Sequence, residues 1–235
     1  MKNNKKEVFM VGKIFSVIFF MLFLFVAVTC NAEDVKLQKK MDECAYVLDE
    51  IMMMPEYSIP EDLLANCQAI GIFPSTLSGG FVFGGKYGRG IVITKSENGE
   101  WSAPAFFVIG GASWGFQIGG QATDYIFVIT TKRGLDWLLN DKLTLGGDVS
   151  VAAGPVGRKA EASTDVMLKA NVLSYSRSKG LFAGVALQGA FVAPNKENNA
   201  SLYGAGITAE DILSGKVKVP KEAEKLIQTL KKYTK

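Results

Sequence analysis

The sequence contains no histidine among its 235 residues. This absence excludes catalysis by Ser-His-Asp or Cys-His groups and metal sites that use histidine ligands. Paired carboxylates would still allow acid–base catalysis, but the acidic residues show no spacing that marks an acid and a base. The carboxylates considered are Asp124, Asp136, Asp148, Glu161 and Asp165. The sequence therefore predicts a protein that is not an enzyme and that has neither a metal nor a cofactor.

Cysteine is scarce, with three residues in the whole chain. Cys44 and Cys67 remain if the N-terminal segment is removed, and an even pair in an oxidising compartment is compatible with a disulfide. The alternative is two separate, half-buried small residues on helices, because sequence spacing does not show that the two Cα atoms approach within bonding range. Both interpretations stay open at this point.

The N-terminal segment has the order of residues that is typical of an export signal. Four lysines precede an apolar run over residues 14–28, which only Ser16 interrupts, and the small-residue exit Thr29-Cys30-Asn31-Ala32 follows. The run is shorter than the roughly 20 residues that a membrane-spanning helix needs. We therefore expect residues 1–32 to be a signal peptide cleaved after Ala32, which places the protein in a periplasm or cell envelope.

Three alternatives concern the same segment. Cys30 is a candidate for lipidation, which would tether the protein to a membrane, although Thr29 is bulkier than the residue that usually precedes a lipidated cysteine. An uncleaved N-terminal anchor is the second alternative. Translation starting at Met10 instead of Met1 is the third, and it would leave a more compact signal.

The charge of the chain is nearly balanced. The formal net charge of +3 comes from residues 1–32, which hold four lysines and one glutamate, so that 22 basic and 22 acidic residues follow them. A neutral domain has no overall field that attracts nucleic acid. The sequence thus excludes nucleic acid as an expected partner, and any attraction to anionic lipid must come from a local patch.

Apolar periodicity predicts helices at both ends of the remaining chain. One amphipathic helix is expected over residues 35–54, and a second, beginning with proline, over residues 60–69. Near the C-terminus, Thr208 and Asp211 resemble a capping box, and Pro220 precedes a charged helix.

Glycine changes the character of the chain between residues 71 and 206, where 23 of the 25 glycines lie among β-branched and aromatic runs. Glycine at this density suits the bulges and tight turns of a curved sheet. Strands are expected over residues 80–84, 88–95, 105–109, 115–118, 125–130, 143–153, 164–175 and 181–192, with a turn at Asn98-Gly99. One helix, over residues 132–140 and capped by Thr131, is expected to interrupt them.

These elements predict the fold class. We expect a single α+β domain over residues 33–235, with a strongly curved, antiparallel, glycine-rich β-sheet, barrel-like or a sandwich, and helices at both chain ends. Two glycine-rich segments imitate phosphate-binding loops, but residues 84–90 continue into a strand and residues 154–159 lack the spacing of a P-loop. Both are therefore interpreted as hairpin ends that carry surface charge.

The basic residues of these hairpin ends and turns are the candidate ligand-binding residues. If several of them met on one side, guanidinium, ammonium and backbone N–H groups could hold a lipid phosphate, whereas each pair alone is also compatible with ordinary solvated surface. The candidates are Lys86, Arg89, Lys132, Arg133, Arg158, Lys159, Arg177 and Lys179. The aromatic residues Trp101, Phe106, Phe107 and Trp114 are expected in the core rather than at a membrane interface.

Ordered sequence blocks between about residues 40 and 205 resemble the SYLF domain family. The blocks are AIGIFP at residues 69–74, GGFVFGG at 79–85, WSAPAF at 101–106, GFQIG at 115–119, LGGD at 145–148, SVAAGPVG at 150–157 and YSRSKGLFAG at 175–184. Several blocks in order form a far more specific signal than one glycine motif. The resemblance covers almost all of the chain that follows the export signal.

The resemblance implies binding of membrane lipid, in eukaryotic relatives through phosphoinositides, with actin binding in some of them. The chain departs from those relatives by its export signal and by the lack of an adaptor module such as an SH3 domain. It is more similar to a stand-alone bacterial branch, in which phosphoinositides and actin are not expected partners. Actin is thus a partner by family analogy alone.

We therefore expect a non-enzymatic protein that binds anionic membrane phospholipid through its basic turns. The alternative is a protein-interaction or structural module of the envelope, whose partner is another envelope protein and which has no specific lipid ligand. A hydrolase of envelope material is the third interpretation, and the absence of the usual catalytic groups weighs against it.

Overall fold

The computed structural model describes residues 34–80, 83–114, 119–139, 143–157, 170–178 and 180–234. Helix α1 occupies residues 34–52, and α2 occupies Glu61–Ala65. The strands are β1 Ala69–Gly80, β2 Phe83–Thr94, β3 Ala105–Trp114, β4 Gly119–Ile129, β5 Leu143–Thr144, β6 Val151–Ala153, β7 Val172–Ser178, β8 Leu181–Gly184 and β9 Phe191–Pro194. The later helices are α3 Lys132–Leu139, α4 Lys196–Tyr203, α5 Ala209–Leu213 and α6 Glu224–Tyr233, the last preceded by a 3-10 turn at Lys221–Ala223.

The strands of the described residues form a single curled sheet. Eight of them follow the order β5-β9-β3-β2-β1-β4-β7-β6, and β8 also pairs with β7. All pairs are antiparallel except β6 with β7, which is parallel. The predicted α+β class with helices at both chain ends is confirmed, and the sheet is a half-barrel rather than a sandwich.

Residues Gln38–Lys235 form one compact unit with a core on each face of the sheet. On the concave face, strands that are far apart in the sheet order line a common apolar interior, with Phe127 from β4, Val172 from β7 and Val192 from β9. Leu138 of α3 and Ile212 of α5 are buried in this cluster. These two helices thus cover one end of the concave face.

Helix α1 lies on the convex face. The thiol of Cys44 donates to the carbonyl oxygen of Ile72 in β1 at 3.5 Å, and both residues are fully buried. Helix α6 is joined to α1 because Asp49 accepts hydrogen bonds from Lys232 Nζ at 2.9 Å and from the Tyr233 hydroxyl at 2.5 Å. Within the described residues no helix is long and apolar enough to cross a membrane.

Several local predictions are confirmed. Thr131 caps α3 by accepting a hydrogen bond from the Gly134 N–H at 3.0 Å. Thr208 and Asp211 form a reciprocal capping box at α5. Gly99 has a φ of 80°, as the turn after Asn98 requires.

The structure corrects the boundaries of other elements. The helix predicted over residues 60–69 ends at Ala65, because Ala69 already pairs with Thr94 and Ile129 in the sheet. The strand predicted over 143–153 is split by a turn in which Gly146 has a φ of 79°. The strand predicted over 181–192 is likewise divided into β8 and β9.

Other predictions lie outside the described residues. They are the signal peptide over residues 1–32 with its alternatives at Met1, Met10, Cys30 and Ala32, the strand over 115–118, and the first part of the strand over 164–175.

The aromatic residues expected in the core are buried there, as far as their side chains are described. Trp101, Phe106 and Phe107 are each at most 5% exposed. These three residues are therefore parts of the core and not of an interfacial edge.

Candidate functional site

The glycine-rich end of the sheet differs from the end that α3 and α5 cover. We use this name for the strand residues of six segments that lie together by strand pairing. The segments are residues 76–80 and 83–90 of β1 and β2, 109–114 and 119–123 of β3 and β4, and 176–178 with 181–184 of β7 and β8. These segments contain three basic residues and no aspartate or glutamate. Arg177 is paired with carboxylates outside these segments, so the positive charge of the glycine-rich end comes from Lys86 and Arg89.

A bulge in β1 marks where this end begins. The register of β1 against β4 shifts between Phe73 and Thr76, and Ser75 has a φ of 51°, in the left-handed region that non-glycine residues rarely adopt. The N–H of Ser75 donates to Asp124 Oδ1 at 2.7 Å, which holds the bulge. The extra residue increases the local bend of the sheet and sets which side chains beyond it face inward.

The concave face of this end carries a polar row that contains Lys86. Ser78 of β1 pairs with Lys86 on one side and with Gln121 on the other. Directly opposed residues of antiparallel strands point to the same face. The Lys86 Nζ lies 5.6 Å from the ring centroid of Tyr125, a member of the concave core, so this face is the inner one.

Lys86 is half-buried, and burial lowers the pKa of its ammonium group below the ordinary value. Within the part of the chain that the structure describes, it forms no ion pair with a carboxylate. The ammonium lies over the ring of Tyr125, and burial raises the pKa of the Tyr125 hydroxyl. A cationic group thus lies on a polar inner surface without a compensating charge.

Exposed apolar side chains border the same end. Leu77 and Tyr87 pair with each other on the convex side and are 64% and 52% exposed. Leu181, at the start of β8, is 65% exposed. Arg89 lies beside Tyr87 on the convex side and donates from its Nε to the Tyr87 hydroxyl at 3.3 Å. Large apolar groups next to basic ones form an amphipathic rim.

Arg177, another predicted site residue, is engaged by carboxylates on the convex face. Its Nε donates to Asp124 Oδ2 at 2.6 Å, and its NH1 donates to Glu50 of α1. The guanidinium also lies over the rings of Phe182 and Tyr46, at 5.3 Å and 6.0 Å from their centroids. Burial raises the pKa of Asp124, and the Ser75 N–H offsets part of that shift. Arg177 therefore joins α1 to the sheet.

The structure does not bring the remaining described candidates together with Lys86. Arg89 is three residues from Lys86 in β2 but points to the opposite face. Lys132 is exposed at the start of α3 and pairs with Glu97 at 3.0 Å, and Arg133 is exposed beside it. Arg158, Lys159 and Lys179 lie outside the described residues, as does Cys30.

The two described cysteines are free in the structure, which corrects the disulfide alternative. Cys44 is fully buried in α1, and Cys67 is buried just after α2. Burial raises the pKa of both thiols, that of Cys67 to about 12. Each thiol donates to a backbone carbonyl, Cys44 to Ile72 and Cys67 to Leu64 at 3.2 Å. They are small buried residues.

Sequence reasoning missed the polar and apolar neighbours of Lys86. Ser78 and Gln121 carry no charge, and Leu77 resembles a core residue when it is considered alone. The available signal was the order of the neighbouring residues. Ser78 follows Leu77 and Lys86 precedes Tyr87, and because consecutive residues of a strand point to opposite faces, this order indicates one polar and one apolar face.

Comparison with known proteins identifies relatives of this chain. The family described as "Ysc84: Las17-binding protein actin regulator" matches residues 110–233, just over half of the chain. An SH3 domain-containing protein of Schizosaccharomyces pombe is 39% identical over 175 residues, which are 73% of this chain and 40% of that protein. LAS seventeen-binding protein 3 of Saccharomyces cerevisiae is 38% identical over 73% of this chain and 38% of its own length.

A human relative, SH3 domain-containing YSC84-like protein 1, is 36% identical over 77% of this chain and 53% of its own length. The chain thus spans about half or less of the length of these relatives. The similarity confirms the resemblance to the SYLF family that the sequence blocks indicate. The chain belongs to the Ysc84 (SYLF) family.

Proposed function

We propose that this protein binds anionic phospholipid membranes through the glycine-rich end of its sheet and catalyses no reaction. The observation that carries the proposal is the combination, at one end, of Lys86 and Arg89, which form no ion pair among the described residues, with exposed Leu77, Tyr87 and Leu181. Anionic head groups complement the charge, and the interfacial region accommodates apolar side chains and the amphipathic ring of tyrosine. The binding site then lies on the sheet, not on a helix.

Magnitudes favour a membrane over a single soluble ligand as the partner of this rim. Each lysine or arginine near an anionic membrane contributes about 1 kcal/mol. A leucine side chain that leaves water contributes roughly 1.5–3 kcal/mol when fully buried. A few such residues acting together are sufficient for reversible membrane binding, and none of them requires a pocket.

We propose that the membrane is that of a cell envelope. The support is the N-terminal order of basic residues, apolar run and small-residue exit, which is typical of export. In that compartment the anionic phospholipids of the envelope are the available ligands. This location corresponds to an origin of the protein in the stand-alone bacterial branch of the family.

Co-sedimentation with vesicles tests the proposal. The chain from residue 33 onwards is used, because residues 38–235 form one compact unit and the apolar run over 14–28 would bind vesicles by itself. We expect binding to vesicles of phosphatidylcholine with phosphatidylglycerol and little binding to phosphatidylcholine alone. Binding should weaken as salt rises, because exposed charges are screened. Equal binding to both vesicle types would contradict the proposal.

A matched pair of variants tests whether the glycine-rich end is the part of the protein that contacts the membrane. Leu77→Ser should weaken vesicle binding about tenfold, because it removes an apolar group that the membrane would bury. Val219→Ser is the control, since Val219 is exposed and lies outside the glycine-rich end. A larger effect of Val219→Ser would place the membrane contact elsewhere.

A protein partner is the second candidate. The observation in its favour is the family description, which names Las17 binding and actin regulation, and the name of the yeast relative, LAS seventeen-binding protein 3. For this chain the corresponding partner would be an envelope protein. A purified partner whose binding saturates without lipid, and which does not lose affinity with Leu77→Ser, would favour this candidate.

A further inference from the structure

Lys86 has two features that an ordinary surface lysine lacks. Its side chain is half-buried on the concave face, and its ammonium lies over the Tyr125 ring without a carboxylate partner in the described chain. Desolvation of an ammonium is unfavourable unless another charge or strong hydrogen bonds compensate for it. The position therefore favours an anion that comes from outside the protein.

Hydrogen-bonding groups lie beside Lys86 on the same face. The Ser78 hydroxyl donates to the backbone carbonyl of Gln121 at 3.4 Å, a long and weak bond. The side-chain amide of Gln121 donates to the Ser178 hydroxyl. Hydroxyl and amide groups next to an ammonium match the oxygens of a phosphate, which accept several hydrogen bonds.

Glycines flank Lys86 on this face. Gly84 and Gly88 are its neighbours in β2, and Gly111 is directly opposite in β3. The space beside Gly88 is occupied by the side chain of Thr76, and Ala190 lies against Gly111. The Lys86 side chain is therefore bordered by small residues and by the polar residues Thr76, Ser78 and Gln121.

From this arrangement we infer that Lys86, with Ser78 and Gln121, binds one phosphate group on the concave face. The inference rests on the proposed function and makes it more specific. The rim at Leu77 and Tyr87 contacts the membrane, and the inner row holds the phosphate of one lipid head group. A small soluble phosphate has the same chemistry, and the experiment below separates the two sources.

The test compares Lys86→Ala with Arg89→Ala. Both substitutions remove one positive charge from β2, three residues apart and on opposite faces. General attraction to an anionic surface predicts equal losses of vesicle affinity, about fivefold each. A phosphate site predicts that Lys86→Ala loses at least about tenfold more than Arg89→Ala, because a charge-assisted hydrogen bond is lost as well. Equal losses would overturn the inference.

A second variant keeps the charge unchanged. Gln121→Leu removes the amide and leaves Lys86 in place, so general attraction predicts no change in affinity for phosphatidylglycerol vesicles. The phosphate site predicts a loss of about fivefold, the size of one hydrogen bond to a charged group. Denaturant unfolding of each variant identifies any loss that is caused by misfolding. Unchanged affinity in a folded Gln121→Leu protein would contradict the inference.

Titration calorimetry with soluble glycerol phosphate separates the inference from the proposed function. If the protein binds vesicles but Lys86→Ala behaves like Arg89→Ala, the site is wrong and the membrane function stands. If it binds glycerol phosphate in a way that needs Lys86 and not Arg89, but binds no vesicles, the phosphate is soluble and the membrane function is wrong. Binding of neither probe would overturn both.

Discussion

The long strands β1, β2 and β4 each have two halves that behave differently. In β2, the C-terminal residues Ile91–Thr94 are buried on both faces of the sheet, whereas residues 84–90 contain four glycines together with Lys86, Tyr87 and Arg89. The buried part is covered by α1 on one face and by α3 and α5 on the other. In residues 84–90, glycine removes the side chains against which a covering helix would pack. The same strands thus form a core at one end and an accessible surface at the other.

Two cations show the same contrast. Arg177 on the convex face is neutralised by Asp124 and Glu50 and stacked on aromatic rings. Lys86 on the concave face has no such partner among the described residues. A cation that is enclosed by its own protein's carboxylates is already compensated, and removing it leaves their charge unpaired, whereas an uncompensated cation is available to a ligand. Residue type alone does not distinguish the two.

The largest effect is expected from a core substitution at the covered end. Phe107→Ala should lower the free energy of unfolding by about 4 kcal/mol, because a fully buried ring is replaced by a cavity. Tyr87→Ala, at the glycine-rich end, should change it by no more than about 0.5 kcal/mol. Urea unfolding of both variants measures the difference. Similar losses would show that the glycine-rich end is as much a part of the core as the covered end.

The covered end was only partly predictable from the sequence. The capping groups of α3 and α5 and the turn at Gly99 depend on neighbouring residues, and they were predicted correctly. The first half of β1 was not predicted as a strand, and Ala69 was placed at the end of a helix, because a strand that is buried on both faces has a continuous apolar run, as a buried helix has. Local sequence does not separate these two cases.

The site was less predictable, for a different physical reason. Lys86 was identified by its charge, but the face to which it points depends on the bulge near Ser75 and on pairing with β1. Arg177 was identified in the same way, yet its partners are 53 and 127 residues away in the sequence. Long-range pairing decides which basic residue is free, and the composition of a turn does not record it.

A substitution of Arg177 tests the contrast between the two cations. Arg177→Met should lower the free energy of unfolding by about 2 kcal/mol, because Asp124 would remain partly buried without its charged partner. Vesicle binding per folded molecule should change little. The control is Arg133→Met, an exposed residue whose loss should cost no more than about 0.5 kcal/mol. A stable Arg177→Met protein with weaker vesicle binding would return Arg177 to the ligand-binding residues.

The smallest effect concerns the charges that hold α6 to α1 on the covered end. The hydrogen bonds from Lys232, and then from Tyr233, lower the pKa of Asp49 below its ordinary value. Since the folded-state pKa is the lower one, this contribution to stability is complete above the unfolded pKa near 4, and it is lost as pH falls through the folded pKa.

Asp49→Asn should therefore destabilise the protein by less than Arg177→Met does, because the pair is partly exposed to solvent. The difference in the free energy of unfolding between the variant and the original protein should be constant between neutral pH and about pH 5 and should shrink below about pH 4. Urea unfolding of both proteins at several pH values measures this difference. Because the hydrogen-bond partners of Asp49 lie on α6 and not on the glycine-rich end, vesicle binding at neutral pH should not change. A difference that grew on acidification would mean that another carboxylate holds α6 in place.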